Sequence, residues 1–298
     1  MRKTTLLKNL ILSKEILVMP GAYDALSAKV IEKMGFKAVQ CSGFGIAASV
    51  LGKPDVGILS AAEMLNQTRN ICTAVSIPVM ADGDTGFGNA INVYHTVQTF
   101  EAAGAAGLNL EDQVFPKRCG HMEGKEVIPL EEMVKKIRAA VDAKRDPDFV
   151  INARTDAIAV HGVEEAIRRG NAYAEAGADL IFVEAPPSVE DIKYIVKRIK
   201  APVSINLTDG GKTPAVSIKQ LQEWGVARVS LPVTPIFSAV KAMEKALRIV
   251  HEEGISPAVN HPEDMTTFEE FTDLVGLPSI RAMEREYLPD EVLIRKYR

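Results

Sequence analysis

Short apolar runs rich in β-branched residues recur along the chain, and the longer stretches between them place apolar residues three and four apart with charges in the gaps. The first pattern suits strands buried on both faces and the second helices buried on one. The eight runs are EILVMP (15–20), KAVQCS (37–42), PVMADGD (78–84), AGLNLED (106–112), DFVINART (148–155), ADLIFVEA (178–185), PVSINLT (202–208) and ARVSLPV (227–233). The clearest helical stretches are AINVYHTVQTFEAAGA, PLEEMVKKIRAAVDAKR, VEEAIRRGNAYAEAGA and IFSAVKAMEKALRIVHEEG. Alternating βα units predict a parallel sheet, and eight of them predict an α/β fold of the (β/α)8 TIM-barrel type. Glycine-containing stops in GFKA, GAAGLNL and GADLIF end three helices just ahead of the next strand. The catalytic barrel is expected over residues 1–255. A tail over 256–298 carries two further short helical patterns and is expected to pack on the barrel or on a neighbouring subunit. No interdomain linker, low-complexity run or solenoid repeat interrupts this organisation.

A chain of 298 residues is long enough for one large barrel. Its net charge of -4 gives no reason to expect nucleic acid or an anionic membrane, so a small-molecule partner is expected. The N-terminal apolar run is broken by Lys8, Lys14 and Glu15, unlike a signal peptide, and no segment is apolar for long enough to span a bilayer. Three widely spaced cysteines, Cys41, Cys72 and Cys119, predict free thiols and a cytoplasmic location.

Most of the predicted strands end in polar residues, on the rim where barrels carry their chemistry. The third ends in ADGDTGFGN, with Asp82 and Asp84 two apart, a spacing that puts both on one face of an extended strand. The fourth ends in Glu111 and Asp112, and the loop after the second supplies Asp55. Converging carboxylates repel one another unless a cation sits among them, so Asp82, Asp84 and Glu111 predict a metal site. Hard oxygen donors favour Mg²⁺, with Mn²⁺ as the alternative. Taken singly, Asp112 and Asp24 read as solvated loop acids or helix N-caps. The glycines of DGDTGFG read as tight-turn residues at positive φ.

The segment QVFPKRCGHMEGKEVIPLEEM after Glu111 is long for a βα connection and reads as a lid. Within it Cys119 has Lys117, Arg118 and His121 as neighbours, and their positive charge predicts a lowered thiol pKa. A zinc site would need more ligands than Cys119 and His121 supply. Cys119 is therefore read as a nucleophile or proton donor, and Cys41 and Cys72 as apolar fillers.

The motifs CSGFGIAAS, PDVG, DGDTGFGN, LNLEDQVFPKRCGH, FVINARTDA, FVEAP and INLTDGGKTP, in this order over about residues 20–255, resemble the isocitrate lyase and phosphoenolpyruvate mutase superfamily. The resemblance implies a (β/α)8 barrel whose eighth helix is swapped between the subunits of a homotetramer, which turns the tail into a subunit-exchange arm. It implies Mg²⁺ ligated directly by Asp84, with Asp82, Asp55 and Glu111 holding metal-bound waters. Ser42, Gly43 and Phe44 would bind the carboxylate of a 2-oxo acid. Arg154 would stand at the reacting centre with Glu184 behind it, and Asn206 and Thr208 would take a distal carboxylate. Gly120 and His121 would complete the mobile loop around Cys119. The implied chemistry is retro-aldol cleavage of a 2-hydroxy acid, with the metal as Lewis acid and Arg154 stabilising charge on the second carboxylate. The Cys119 thiol then protonates the carbon under a closed loop that excludes water. Asp55, a hydroxide at the metal and Tyr23 are all open as the acceptor of the hydroxyl proton.

The superfamily divides into carbon–carbon lyases, which use a KxCGH cysteine, and phosphonate mutases, whose phosphoenolpyruvate branch lacks it. Cys119 favours the lyases. KRCGH and DPDFVINARTDA are similar to methylisocitrate lyases, but Gln40 stands where those carry tyrosine and Met122 where they carry arginine. GHMxGK with SGF and DGDTGFGN is more similar to the dimethylmalate lyase group, which shades into petal death proteins and carboxyphosphonoenolpyruvate mutase-like members. The implied substrate is a 2-hydroxy dicarboxylate such as 2,3-dimethylmalate, with 2-methylisocitrate next; without an arginine at 122 a third carboxylate is less well paired. The alternatives are a carboxyphosphonoenolpyruvate phosphonomutase-like isomerase and an oxaloacetate hydrolase, whose members carry a serine where Pro232 stands. A non-catalytic scaffold predicts loss of a metal acid, Cys119 or Arg154, and all are present.

Overall fold

In the computed structural model, which describes residues 1–297, every apolar run becomes a strand. They are β1 (Leu17–Ala22), β2 (Val39–Cys41), β3 (Val79–Asp82), β4 (Gly107–Glu111), β5 (Val150–Thr155), β6 (Leu180–Val183), β7 (Val203–Asn206) and β8 (Arg228–Leu231). All pair in parallel in chain order, and β1 closes the barrel on β8 with Leu17 opposite Arg228. Closure leaves no strand edge unpaired. The four helical stretches become Ala90–Ala102, Leu130–Ala143, Val163–Glu175 and Thr234–Glu253. Asp24 caps the helix Ala25–Lys33 by accepting from Ser27 N–H at 2.7 Å, as its N-cap reading predicts.

The larger apolar core lies between the strands and the helices around them, where Ile71, Val97, Phe100, Ile137 and Ile192 meet the outward faces of the strands. A smaller cluster closes the N-terminal end of the barrel. There a helix not expected from the sequence, Lys3–Ile11, buries Leu7 and Ile11 against Leu17, Met19, Met80, Val150 and Leu180. Inside the barrel Arg228 is completely enclosed, donating to Ser204 Oγ at 2.8 Å and Gln40 Oε1 at 2.5 Å. Burial pulls its pKa down to about 9.

The chain divides into two units, Met1–Ile236 and a second beginning at Phe237. Among the described residues, the second holds most of the helix Thr234–Glu253 and four further α-helices, Pro257–Asn260, Phe268–Leu274, Leu277–Tyr287 and Asp290–Lys296. Along its long helix Val240, Met243, Leu247 and Val250 are exposed at helical spacing.

Asp112 departs from its expected role as a solvated acid or cap: it is wholly buried. Its carboxylate accepts from Thr155 Oγ1 (2.8 Å), Asp156 N–H (2.9 Å), Tyr173 Oη (2.7 Å) and Arg169 Nη1 (3.1 Å), tying the end of β4 to β5 and to the helix Val163–Glu175. A buried carboxylate persists because these donors replace its hydration. Asp112→Ala strands Arg169 and the other donors together, and is expected to cost about 3 kcal/mol. Urea denaturation checks this, and a loss under about 1 kcal/mol would mean that water satisfies the cluster.

Candidate active site

The C-terminal ends of the strands hold the predicted residues. Ser42, Gly43, Phe44, Asp55, Asp82, Cys119, Gly120, His121, Arg154, Glu184, Asn206 and Thr208 line one pocket, and Asp84 and Glu111 are buried. Asp84 gets there differently from the same-face spacing of an extended strand. β3 stops at Asp82, and Asp84 occupies a left-handed turn with φ 45°. That turn continues through Gly86 and Gly88, both at positive φ, as expected of DGDTGFG. Asp82 orients the turn and its neighbour: Oδ1 accepts from Asp84 N–H at 3.2 Å and Oδ2 from Gly43 N–H at 3.1 Å. The Gly43 N–H is thereby engaged within the protein. Ser42 caps the helix Gly43–Leu51, its hydroxyl accepting from Gly45 N–H.

Lys117 places its ammonium between two of the acids, 2.7 Å from Asp55 Oδ1 and 2.8 Å from Asp84 Oδ1. Burial alone would lower its pKa, but Asp84, Asp55 and Glu111 outweigh that and raise it. Burial, reinforced by Asp82 and Asp55, lifts Asp84 to about 6 against the pull of Lys117. Glu111 is raised as well, chiefly by burial. Sequence spacing paired Lys117 with Cys119 and missed this role, because a charge two residues away along a loop can point elsewhere.

Arg154, at the end of β5, gathers the second half of the site. It meets Asp156 at 2.8 and 3.0 Å, Glu184 at 3.1 Å and Glu111 at 3.2 Å, and its guanidinium carbon lies 5.2 Å from the centre of the Phe182 ring. Burial works against the charge of Glu184, but Arg154 and the His121 contact hold its pKa down to about 2. Asn206 donates to Glu184 Oε2 at 3.3 Å and accepts from Ser230 Oγ. His121 accepts from Lys212 N–H on Nδ1 at 2.9 Å, which leaves the ring proton on Nε2, 3.3 Å from Glu184 Oε1. A side chain at Gly120 would collide with Glu184 and Arg154, so only glycine lets the lid approach this closely.

The lid itself is seated over these charges. The pKa of Cys119 is raised, the reverse of the lowering expected from its cationic neighbours. Burial pushes the thiol up to about 11, and the Asp55 and Glu184 charges add to this. Lys117 is spent on the acids, and Arg118 is exposed to solvent. A thiol in this setting is protonated at neutral pH, which suits a proton donor better than a nucleophile.

The model of the family described as phosphoenolpyruvate phosphomutase matches residues 7–251. The chain belongs to the phosphoenolpyruvate mutase family. Within it, the chain is 46% identical to the 2,3-dimethylmalate lyase of Eubacterium barkeri, over 94% of this chain and 96% of that one. It is 45% identical to the 2-methylisocitrate lyase of Aeropyrum pernix, over 92% and 88% of the two chains. A solved structure of a phosphonopyruvate hydrolase complexed with oxalate and Mg²⁺ superposes with a TM-score of 0.88 at 35% identity, covering 97% of this chain and all of that one. For this member of the family, a thiol with a pKa near 11 should be alkylated by iodoacetamide at a rate that climbs about tenfold per pH unit beyond pH 9. Mass spectrometry of the Cys119 peptide follows the rate, and a plateau at pH 9 would show an ordinary thiol.

Proposed function

We propose that the chain is a Mg²⁺-dependent carbon–carbon lyase. It would cleave a 2-hydroxy di- or tricarboxylate of the 2,3-dimethylmalate or 2-methylisocitrate type to pyruvate, or another 2-oxo acid, plus a carboxylic acid. The observation that carries this reading is the placement of the Cys119 thiol, on the lid, in the same pocket as Arg154, where burial favours the protonated form. Cleavage leaves a bond pair on the carbon beside a carboxylate. Arg154 offers positive charge for that group, and the thiol offers the proton that completes the second product. Pro232 also lines the pocket and presents no hydroxyl, which favours the lyase over the hydrolase alternative.

The acids fit a divalent cation. Glu111 Oε1 is fully buried without a hydrogen-bond donor, and Asp84 Oδ1 has only the Lys117 ammonium, which already stands as a cation between Asp55 and Asp84. We assign the metal to Asp84, with Asp82, Asp55 and Glu111 holding its waters. Bound there, Mg²⁺ would supply Lewis-acid stabilisation of the substrate oxygen. Ser42 and its helix N-terminus would meet the substrate carboxylate, and Asn206 and Thr208 the distal one. Gln40 donates to Cys41 C=O at 2.8 Å and accepts from Arg228, so the carboxamide that replaces the tyrosine of methylisocitrate lyases is already committed within the protein. That favours the smaller dicarboxylate. The exposed apolar stripe of Val240, Met243, Leu247 and Val250 supports a homotetramer.

The decisive assay measures Mg²⁺-dependent 2-oxo acid release from 2,3-dimethylmalate, 2-methylisocitrate, isocitrate and oxaloacetate, with the first expected to turn over fastest. Turnover of none would sink the lyase reading. Cys119→Ser should lower kcat by about a hundredfold or more while leaving Mg²⁺ affinity nearly intact. Asp84→Ala should abolish Mg²⁺ binding in calorimetry, and retained binding would remove Asp84 from the metal site.

A further inference from the structure

Cys119 needs a fixed position to deliver a proton, yet it sits at the tip of a long loop. Three consecutive residues there, Arg118, Cys119 and Gly120, are each held through the backbone by a different outside partner. The Gln113 carboxamide makes a reciprocal pair with Arg118: Nε2 donates to its carbonyl at 2.8 Å, and Oε1 accepts from its N–H at 2.9 Å. Cys119 N–H donates to the Asp55 carbonyl at 3.0 Å. The Lys125 ammonium donates to the Gly120 carbonyl, and lies 3.8 Å from the Asp156 carboxylate that Arg154 grips.

We propose that Gln113 and Lys125 are positioning residues that clamp the Arg118–Gly120 backbone and so aim the Cys119 thiol into the pocket. Both are buried; Gln113 carries no charge, whereas Lys125 also faces the Asp156 carboxylate. Gln113 is suited to the task because a primary amide can donate and accept at once, so it pairs with a peptide unit as a neighbouring strand would. It stands at the root of the lid, where Gln113 bridges Val127 in antiparallel fashion and Val114 N–H donates to the Glu126 carbonyl. The root is therefore itself fixed, and the carboxamide transmits that rigidity to the tip. Lys125 works from the returning limb. Its ammonium ties the tip to the Asp156 carboxylate, so the thiol and the Arg154 guanidinium are referenced to one group. Loss of the Gln113 clamp leaves the pocket's charges in place and frees the thiol, whereas loss of Lys125 also removes a cation beside Asp156, which makes Gln113→Met the cleaner variant. The effect should therefore fall on the proton-transfer step rather than on substrate binding.

This rests on the lyase reading only for its kinetic part, so the test has two arms. In the first, Gln113→Met and Lys125→Met are compared with wild type for trypsin cleavage after Arg118, with circular dichroism melting to show that each variant is folded. Cleavage is expected to accelerate about tenfold or more as the tip is released, with kcat falling by about tenfold or more and KM changing less than about threefold. Unchanged cleavage and kcat in both folded variants would overturn the proposal. So would a KM rise that accounts for the whole loss. In the second arm, amide exchange on the wild type needs no variant to fold. The Arg118 and Cys119 amides should be protected relative to those of Glu123 and Gly124 in the same lid, and equal exchange would overturn the clamp. If the wild type turns over none of the candidate substrates, the lyase reading fails, and the cleavage and exchange data still decide the clamp.

Discussion

Arg154 brings one positive charge to a point where Asp156, Glu111 and Glu184 each lie within 3.2 Å. Those acids come from β4, the end of β5 and the loop after β6, so three neighbouring strand ends are held in register by one guanidinium. Its planar fork meets several carboxylates at once, which a lysine ammonium could not match in geometry. Burial makes the arrangement stringent. Each unpaired charge would be costly in so enclosed a place, and each pairing is correspondingly firm. Lys117, on the lid, repeats the logic between Asp55 and Asp84. The rim of the barrel thus sets Arg154 among acids at neighbouring strand ends, and the lid brings Lys117 to others and presses Gly120 against the cluster.

The same enclosure explains the behaviour of the thiol. Cationic residues beside Cys119 in sequence would favour thiolate if they faced it, but the structure turns them to other tasks and leaves a sheltered sulfur near the carboxylates of Asp55 and Glu184. The result is a group that burial keeps protonated, as the proposed protonation of a carbanion-like carbon would require. Tuning by burial is less conspicuous in a sequence than tuning by charge, since it depends on which face of a loop points inward.

The barrel was legible because its strands are buried on both faces and its helices on one, so both periodicities survive in the order of residues. The acids at strand ends were legible for a related reason: position at the end of an apolar run says which rim they share. Four features were not. Asp112 looks like any loop acid, and its burial depends on Thr155, Tyr173 and Arg169, which lie more than forty residues further along the chain. Asp84 reaches the site through a left-handed turn rather than strand alternation. Lys117 and Lys125 sit in a lid whose charges have no periodicity to reveal their direction. Gln113, immediately after the two conspicuous acids, carries no charge to draw notice.

The helix Lys3–Ile11 seals the end of the barrel opposite the site with Leu7 and Ile11, and the enclosed Arg228 fills the interior above it. The chamber consequently opens on the side the lid covers. Any reaction that makes two molecules from one must then send both out through the opening by which the parent entered. Under the proposed cleavage, traffic would become sequential: the fragment nearer the lid would leave first, and the one seated deeper would wait behind it.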